Sequence, residues 1–256
     1  ENGHTEVVSR LLSAGAPVDA ARKSDGLTAL VAAAQAGHDA IVTSLVLGGA
    51  DPNRPGKDGR TALMWVAQAG NDAIITTLLE HGARVDATDK VRRTALWYAV
   101  SQGHEGTVRL LIQHGARLDL ADADGTTPLA RAAQSGRVEG FRILLAAGAT
   151  PDVRSLSGNT PLMFAADGGF GEIALELISR RVDLDARNDV GDTALIIAVK
   201  RGHIEIARQL LEAGANPDIR NNRREQAWTL AERAGDRAMI ALIDGYRGKR
   251  KTFGLF

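Results

Sequence analysis

In the stretch Thr61-Ala-Leu-Met-Trp-Val-Ala-Gln-Ala-Gly70 the apolar residues fall three and four apart. Turning about 100° per residue from Leu63, Val66 and Ala67 stay within about 60° of it, so the segment predicts a short helix with one apolar stripe. Thr61 suits the cap before that helix and Gly70 its stop. The next stretch, Asn71 to His81, sets Ile74, Ile75, Leu78 and Leu79 on one face, a second amphipathic helix. Gly82 suits the left-handed residue beyond it, and the polar run from Val85 to Arg93 predicts a turn.

This helix-turn-helix pattern recurs every 33 residues. Thr-x-Leu appears at Thr28, Thr61, Thr94, Thr127, Thr160 and Thr193, each followed nine residues later by Gly, from Gly37 to Gly202, and Gly235 continues the step. A Gly-Ala pair keeps the same phase at Gly49, Gly82, Gly115, Gly148 and Gly214, with Gly15 one residue out of step. An acidic or amide residue follows at Asp19, Asn53, Asp86, Asp119, Asp152, Asp185 and Asp218. Pro128 and Pro161 take the first helical position, where the missing N–H costs nothing. Asp25-Gly26, Asp58-Gly59 and Asp124-Gly125 predict tight, hairpin-like turns between units.

Gly59-Arg-Thr-Ala-Leu63, Gly125-Thr-Thr-Pro-Leu129, Gly202-His-Ile-Glu-Ile206 and Leu210-Leu-Glu-Ala-Gly-Ala-Asn216 resemble ankyrin repeats over nearly the whole chain. The resemblance implies an all-α solenoid of stacked helix-turn-helix units with projecting turns, curved so as to present a concave face, and a protein-binding role. Residues 1–22 then form a partial N-terminal repeat with the second helix alone, 23–220 six full repeats, 221–246 a C-terminal capping repeat and 247–256 a basic and aromatic tail. The chain opens at Glu1 rather than Met, which leaves room for an upstream segment, and Val7, Val8, Leu11 and Leu12 lack a preceding partner helix.

Three departures from the family pattern carry expectations. The His expected after Thr-Pro-Leu is replaced by Val31, Met64, Trp97, Ala130, Met163 and Ile196, so apolar packing stands in for a hydrogen bond. Arg181-Val182 replaces Gly-Ala, predicting an irregular helix end. Arg92 and Arg224 replace a turn glycine, which puts the turn geometry there in question.

Composition narrows the chemistry. The absence of cysteine excludes disulfides, thiolate metal sites and a cysteine nucleophile. Lys+Arg and Asp+Glu stand at 31 each, which gives no general attraction to nucleic acid. No apolar run reaches the ~20 residues of a membrane span. A soluble monomer is expected, with the cytoplasm favoured over the periplasm or secretion. Asp119 to Gly125 looks in part like a calcium loop, but Gly125 falls one place late and the closing Glu is missing. Gly168-Gly-Phe-Gly171 lacks the strand a phosphate loop requires. The histidines occupy repeat slots without a nucleophilic or acidic partner, so neither an enzyme nor a metal or other cofactor is expected.

One slot of the first helix breaks the rule for its position. Trp65 lies roughly 200° from Leu63, away from the apolar stripe, and the same slot holds Ala32, Tyr98, Arg131, Phe164 and Ile197. The position before Thr adds Arg60 and Arg93, and the turn adds Lys57 and Lys90. Rings flanked by cations on the concave face predict a site for a partner protein or peptide, or for an anionic, nucleotide-like ligand stacked on the same rings. Filling of gaps between neighbouring first helices is the competing role for the slot; Met64 and Trp97, at about 100°, are assigned to it outright. The tail residues Arg247, Lys249, Arg250 and Lys251, with Phe253, Leu255 and Phe256, suggest either a solvated terminus or contact with an acidic or headgroup surface.

Overall fold

The computed structural model describes residues 3–253, with side chains described through Arg247. Among these residues there are fifteen helices and no strand. The first helices of the units are α2 (Ala29–Ala36), α4 (Ala62–Ala69), α6 (Ala95–Gln102), α8 (Pro128–Ser135), α10 (Pro161–Gly168), α12 (Ala194–Arg201) and α14 (Ala227–Ala234). The second helices are α1 (Thr5–Ser13), α3 (Asp39–Leu47), α5 (Asp72–Glu80), α7 (Glu105–Gln113), α9 (Val138–Ala146), α11 (Gly171–Ser179), α13 (Ile204–Glu212) and α15 (Arg237–Phe253).

The predicted start and stop signals act as capping chemistry requires. The hydroxyls of Thr28, Thr94, Thr127, Thr160 and Thr193 each accept the backbone N–H three residues on. Thr61 does not, and its buried hydroxyl has no partner. Each first helix closes on a left-handed glycine. At Gly70 the requirement is double: φ is +75°, and a Cβ would lie 2.6 Å from the His104 ring. That ring reaches back from the next repeat, its Nε2 2.9 Å from the carbonyl of Gln68 near the end of α4. This histidine therefore satisfies a helix-end carbonyl.

Two compact units result. One comprises residues up to Ala123 with Arg142–Gly148, the other Asp124–Phe141 with Ala149 onward. Within the first, α2, α4 and α6 stack as one layer and α1, α3, α5 and α7 as a second, with α2 packing on α3, α4 on α5 and α6 on α7. Within the second, α8, α10, α12 and α14 form one layer and α11, α13 and α15 the other. The predicted stripe residues Leu63, Val66, Ala67, Ile74, Ile75 and Leu78 are buried, as are Met64 and Trp97 in their gap-filling slot, while Leu79, predicted on the same face, is only half-buried. On α1, by contrast, Val7 and Leu11 are each 54% exposed.

The acidic slot ties repeats together. Asp19 accepts from Asp51 N at 3.1 Å, Asn53 from Arg84 N at 2.7 Å, Asp86 from Arg117 N at 3.0 Å, and Asp185 from Asn216 N at 2.8 Å. Its bonds thus run to the next repeat.

Two expectations are corrected. The end of α11 is regular: Arg181 adopts φ 56°, the left-handed conformation of the glycines it replaces, and donates to the Ile178 carbonyl at 2.9 Å. Arg92 and Arg224, at φ 62° and 60°, likewise keep the turn of Gly26, Gly59 and Gly125. Packing by neighbouring repeats imposes the backbone, and each arginine bears a local strain of about 1 kcal/mol. The helix α15 runs through Phe253, so the backbone at 247–253 continues the last repeat. The predicted contacts of the tail beyond Arg247 lie outside the described side chains.

Candidate functional site

In the first unit the position before each capping Thr projects beside the outward slot of the first helix. The Arg60 guanidinium lies over the Trp65 ring at 3.5 Å and over the Tyr98 ring of the next repeat at 4.2 Å. One of its arms donates to Gln68. Its buried Nε has no partner, nor has the indole N–H of Trp65. Burial pushes the guanidinium below its ordinary pKa, opposed mainly by Tyr98 and by the carboxylates of Asp58 and Asp89. Arg93 repeats the arrangement one unit on, 4.4 Å over Trp97. Guanidinium over an indole face is an attraction of order 1 kcal/mol that holds both groups still.

Tyr98 departs from the expectation for its slot. It is 7% exposed, so its ring is not offered to solvent. The reason is a carboxylate the pattern did not single out. Asp89, buried in the turn before α6, accepts from Val91 N at 2.9 Å and Arg93 N at 2.8 Å through one oxygen. Its other oxygen accepts the Tyr98 hydroxyl at 2.6 Å. Burial, reinforced by this carboxylate, holds the phenol above its usual pKa. Trp65 is half-buried. Lys57 and Lys90 are exposed at the turns, the ammonium of Lys57 donating to the carbonyls of Lys23 and Ser24 at 2.8 Å each.

In the second unit the same slots frame a recess of about 440 Å³. Phe164, Met163 and Ile197 supply its apolar part, from α10 and α12. Its polar part carries both signs. Lys200 pairs with the buried carboxylate of Asp192 at 2.6 Å, and Arg201 pairs with Asp167 at 2.7 Å. Asn188 donates to Asn159 at 2.8 Å across the turn side, and Gln134 completes the lining. Arg131, half-buried on α8, donates to Gln134 at 3.0 Å.

Of the residues singled out from the sequence, Arg60, Trp65, Arg93 and Tyr98 thus converge in one cluster. Lys57 and Lys90 stand at the turns of the same unit, while Phe164 belongs to the recess and Arg131 reaches its Gln134 edge. Asp89, Asp167, Asp192, Lys200 and Arg201 were missed. A signal was available: the residue before the capping position meets the residue eight places on, as Arg60 meets Gln68, Asp192 meets Lys200 and Glu225 meets Arg233.

A family model described as ankyrin repeats matches in three copies, at residues 1–89, 85–155 and 147–221. Among solved structures, the chain is similar to the ankyrin repeat domain of Bcl-3, described as a unique member of the IkappaB protein family. The identity is 25% and the TM-score 0.75, covering 86% of this chain and 100% of that one. No curated protein matches significantly.

Proposed function

Because the chain belongs to the ankyrin-repeat family, we propose that it is a noncatalytic scaffold that binds a partner protein or peptide through its first-helix face. The observation that carries this reading is the recess of about 440 Å³ around Phe164. An apolar floor of Phe164, Met163 and Ile197 ringed by paired charges of both signs suits a single apolar side chain of a peptide, with the rim holding its backbone. Half-buried Trp65, one face of which lies under Arg60, offers a smaller second apolar contact.

The arrangement gives a stacked, nucleotide-like ligand less support. Arg60 already covers the Trp65 face, and Tyr98 is buried. A phage-displayed peptide library selected on the intact chain tests the proposal. Enriched peptides are expected to lose about tenfold in affinity or more on Phe164→Ala, the scale of a central anchor. Peptides that bind Phe164→Ala and Trp65→Ala as well as wild type would remove this face from the reading.

A further inference from the structure

The turns of the first unit have a charge pattern of their own. Residues 22–25, 54–60 and 87–93 carry eight Arg or Lys and three Asp. In the second unit the turns 153–159, 186–192 and 219–225 carry five cations against two Asp and one Glu. The three acids of the first unit are already engaged. Asp25 pairs with Arg22 and accepts Leu27 N at 3.1 Å, Asp58 accepts Arg60 N at 3.0 Å, and Asp89 is consumed by its own turn and Tyr98. The side chains of Lys23, Arg54, Lys90 and Arg92 are exposed and make no hydrogen bond or ion pair among the described residues.

Arg92 is the telling member. Gly26, Gly59, Gly125, Gly158 and Gly191 fill its slot in other repeats with φ between 71° and 86°, yet here an arginine holds φ 62°. A strained backbone that a glycine would relieve, kept for an exposed cation beside Lys90, is a sign of use rather than of stability. Arg224 shares the backbone conformation in a turn that also carries Arg220 and Arg223, but that turn ends on Glu225 and follows an acidic one, with Asp189 and Asp192, so no row of cationic turns continues there.

We infer that this row of turns binds an acidic, extended segment of the partner protein, an assignment that rests on the protein-binding reading above. Successive turns are bonded to each other, Lys57 N to the Asp25 carbonyl at 2.8 Å and Lys90 N to the Asp58 carbonyl at 3.2 Å. Stacked helices sit about 10 Å apart, so the cations recur at about that interval. An extended chain advances about 3.3 Å per residue, which sets acidic side chains at every third position against successive turns. Single-stranded nucleic acid would also want exposed rings for its bases. Here Arg60 lies over the Trp65 face, and Trp97 and Tyr98 are buried.

The test is a titration of the full chain with a fluorescein-labelled synthetic peptide bearing glutamate at every third position, read by anisotropy at low salt. The Lys57→Glu/Lys90→Glu pair is expected to weaken binding about tenfold or more, and added salt to weaken it in wild type. Arg92→Gly is expected to weaken it about threefold while the thermal midpoint stays level or rises, a split that a structural role for Arg92 would not produce. Indifference of the peptide to all three changes overturns the proposal. So does tighter binding of a deoxythymidine oligomer or of phosphatidylserine vesicles than of the peptide. Library-selected peptides that depend on Phe164 but ignore these variants would overturn it while leaving the scaffold reading intact.

Discussion

Replacing Tyr98 with Phe isolates one bond. The phenylalanine ring keeps its edge-on contact with Trp97, whose centroid lies 5.4 Å away, and its face toward Arg60 at 4.2 Å. What disappears is the 2.6 Å bond from the phenol to Asp89. Donor and acceptor residues are each only 7% exposed, so water does not readily replace the lost donor. A bond to a buried carboxylate contributes about 2 kcal/mol, and a carboxylate left short of donors costs on that scale. Tyr98→Phe is therefore expected to lose about 2 kcal/mol in urea unfolding at unchanged slope. In an Asp89→Asn background, where the charge is gone, the same change is expected to cost less than about 1 kcal/mol. A coupling energy below about 0.5 kcal/mol between the two positions would refute the reasoning. The pH dependence gives a second check. The folded phenol holds its proton above the ordinary tyrosine pKa, so its contribution is complete below about pH 10 and fades as pH rises through the raised value. Tyr98→Phe should remove that part of the alkaline loss.

The remaining predictions concern single contacts. Thr94→Val removes a working cap and should cost about 1 kcal/mol, whereas Thr61→Val removes a buried hydroxyl with no partner and should be neutral or stabilising in the same urea assay. Arg181→Gly relieves a left-handed arginine and should raise stability by about 1 kcal/mol. Asp25, held by the Arg22 guanidinium with its pKa lowered to about 2, should titrate near that value by NMR. Its contribution is present above the ordinary carboxylate range and lost as pH falls toward 2, and Arg22→Ala should return the titration to near 4.

The fold was legible because each repeat spells its own boundaries. A capping Thr, an apolar stripe at helical spacing and a left-handed glycine are local signals, and the neighbouring repeat reinforces each of them. Legibility failed where the backbone outweighed the residue. Arg181 and Arg92 read as breaks in pattern, yet the flanking packing holds them in the glycine conformation. The site was half legible for a related reason. An angle around one helix says which way Tyr98 points from its own core. It says nothing of Arg60 on the preceding repeat or of Asp89 in the turn, nine residues away, both of which close over it. Phe164 escaped that fate because Asn159 in its own repeat and Thr126 in the preceding one stand where the first unit has Arg93 and Arg60, leaving no guanidinium at either position to cover the ring.

The same substitution of slots explains how a chain of zero net charge carries a charged surface. Net charge speaks for distances well beyond the Debye length, about 8 Å in physiological salt. A ligand at the turns responds to the few groups within that reach. In the first unit those groups are predominantly cationic and their carboxylates are already spent on turn hydrogen bonds, while around the recess in the second each cation has an acidic partner. Neutrality of the whole therefore argues against indiscriminate attraction to polyanions, and leaves intact a short-range, position-specific demand for acidic residues at one row of turns.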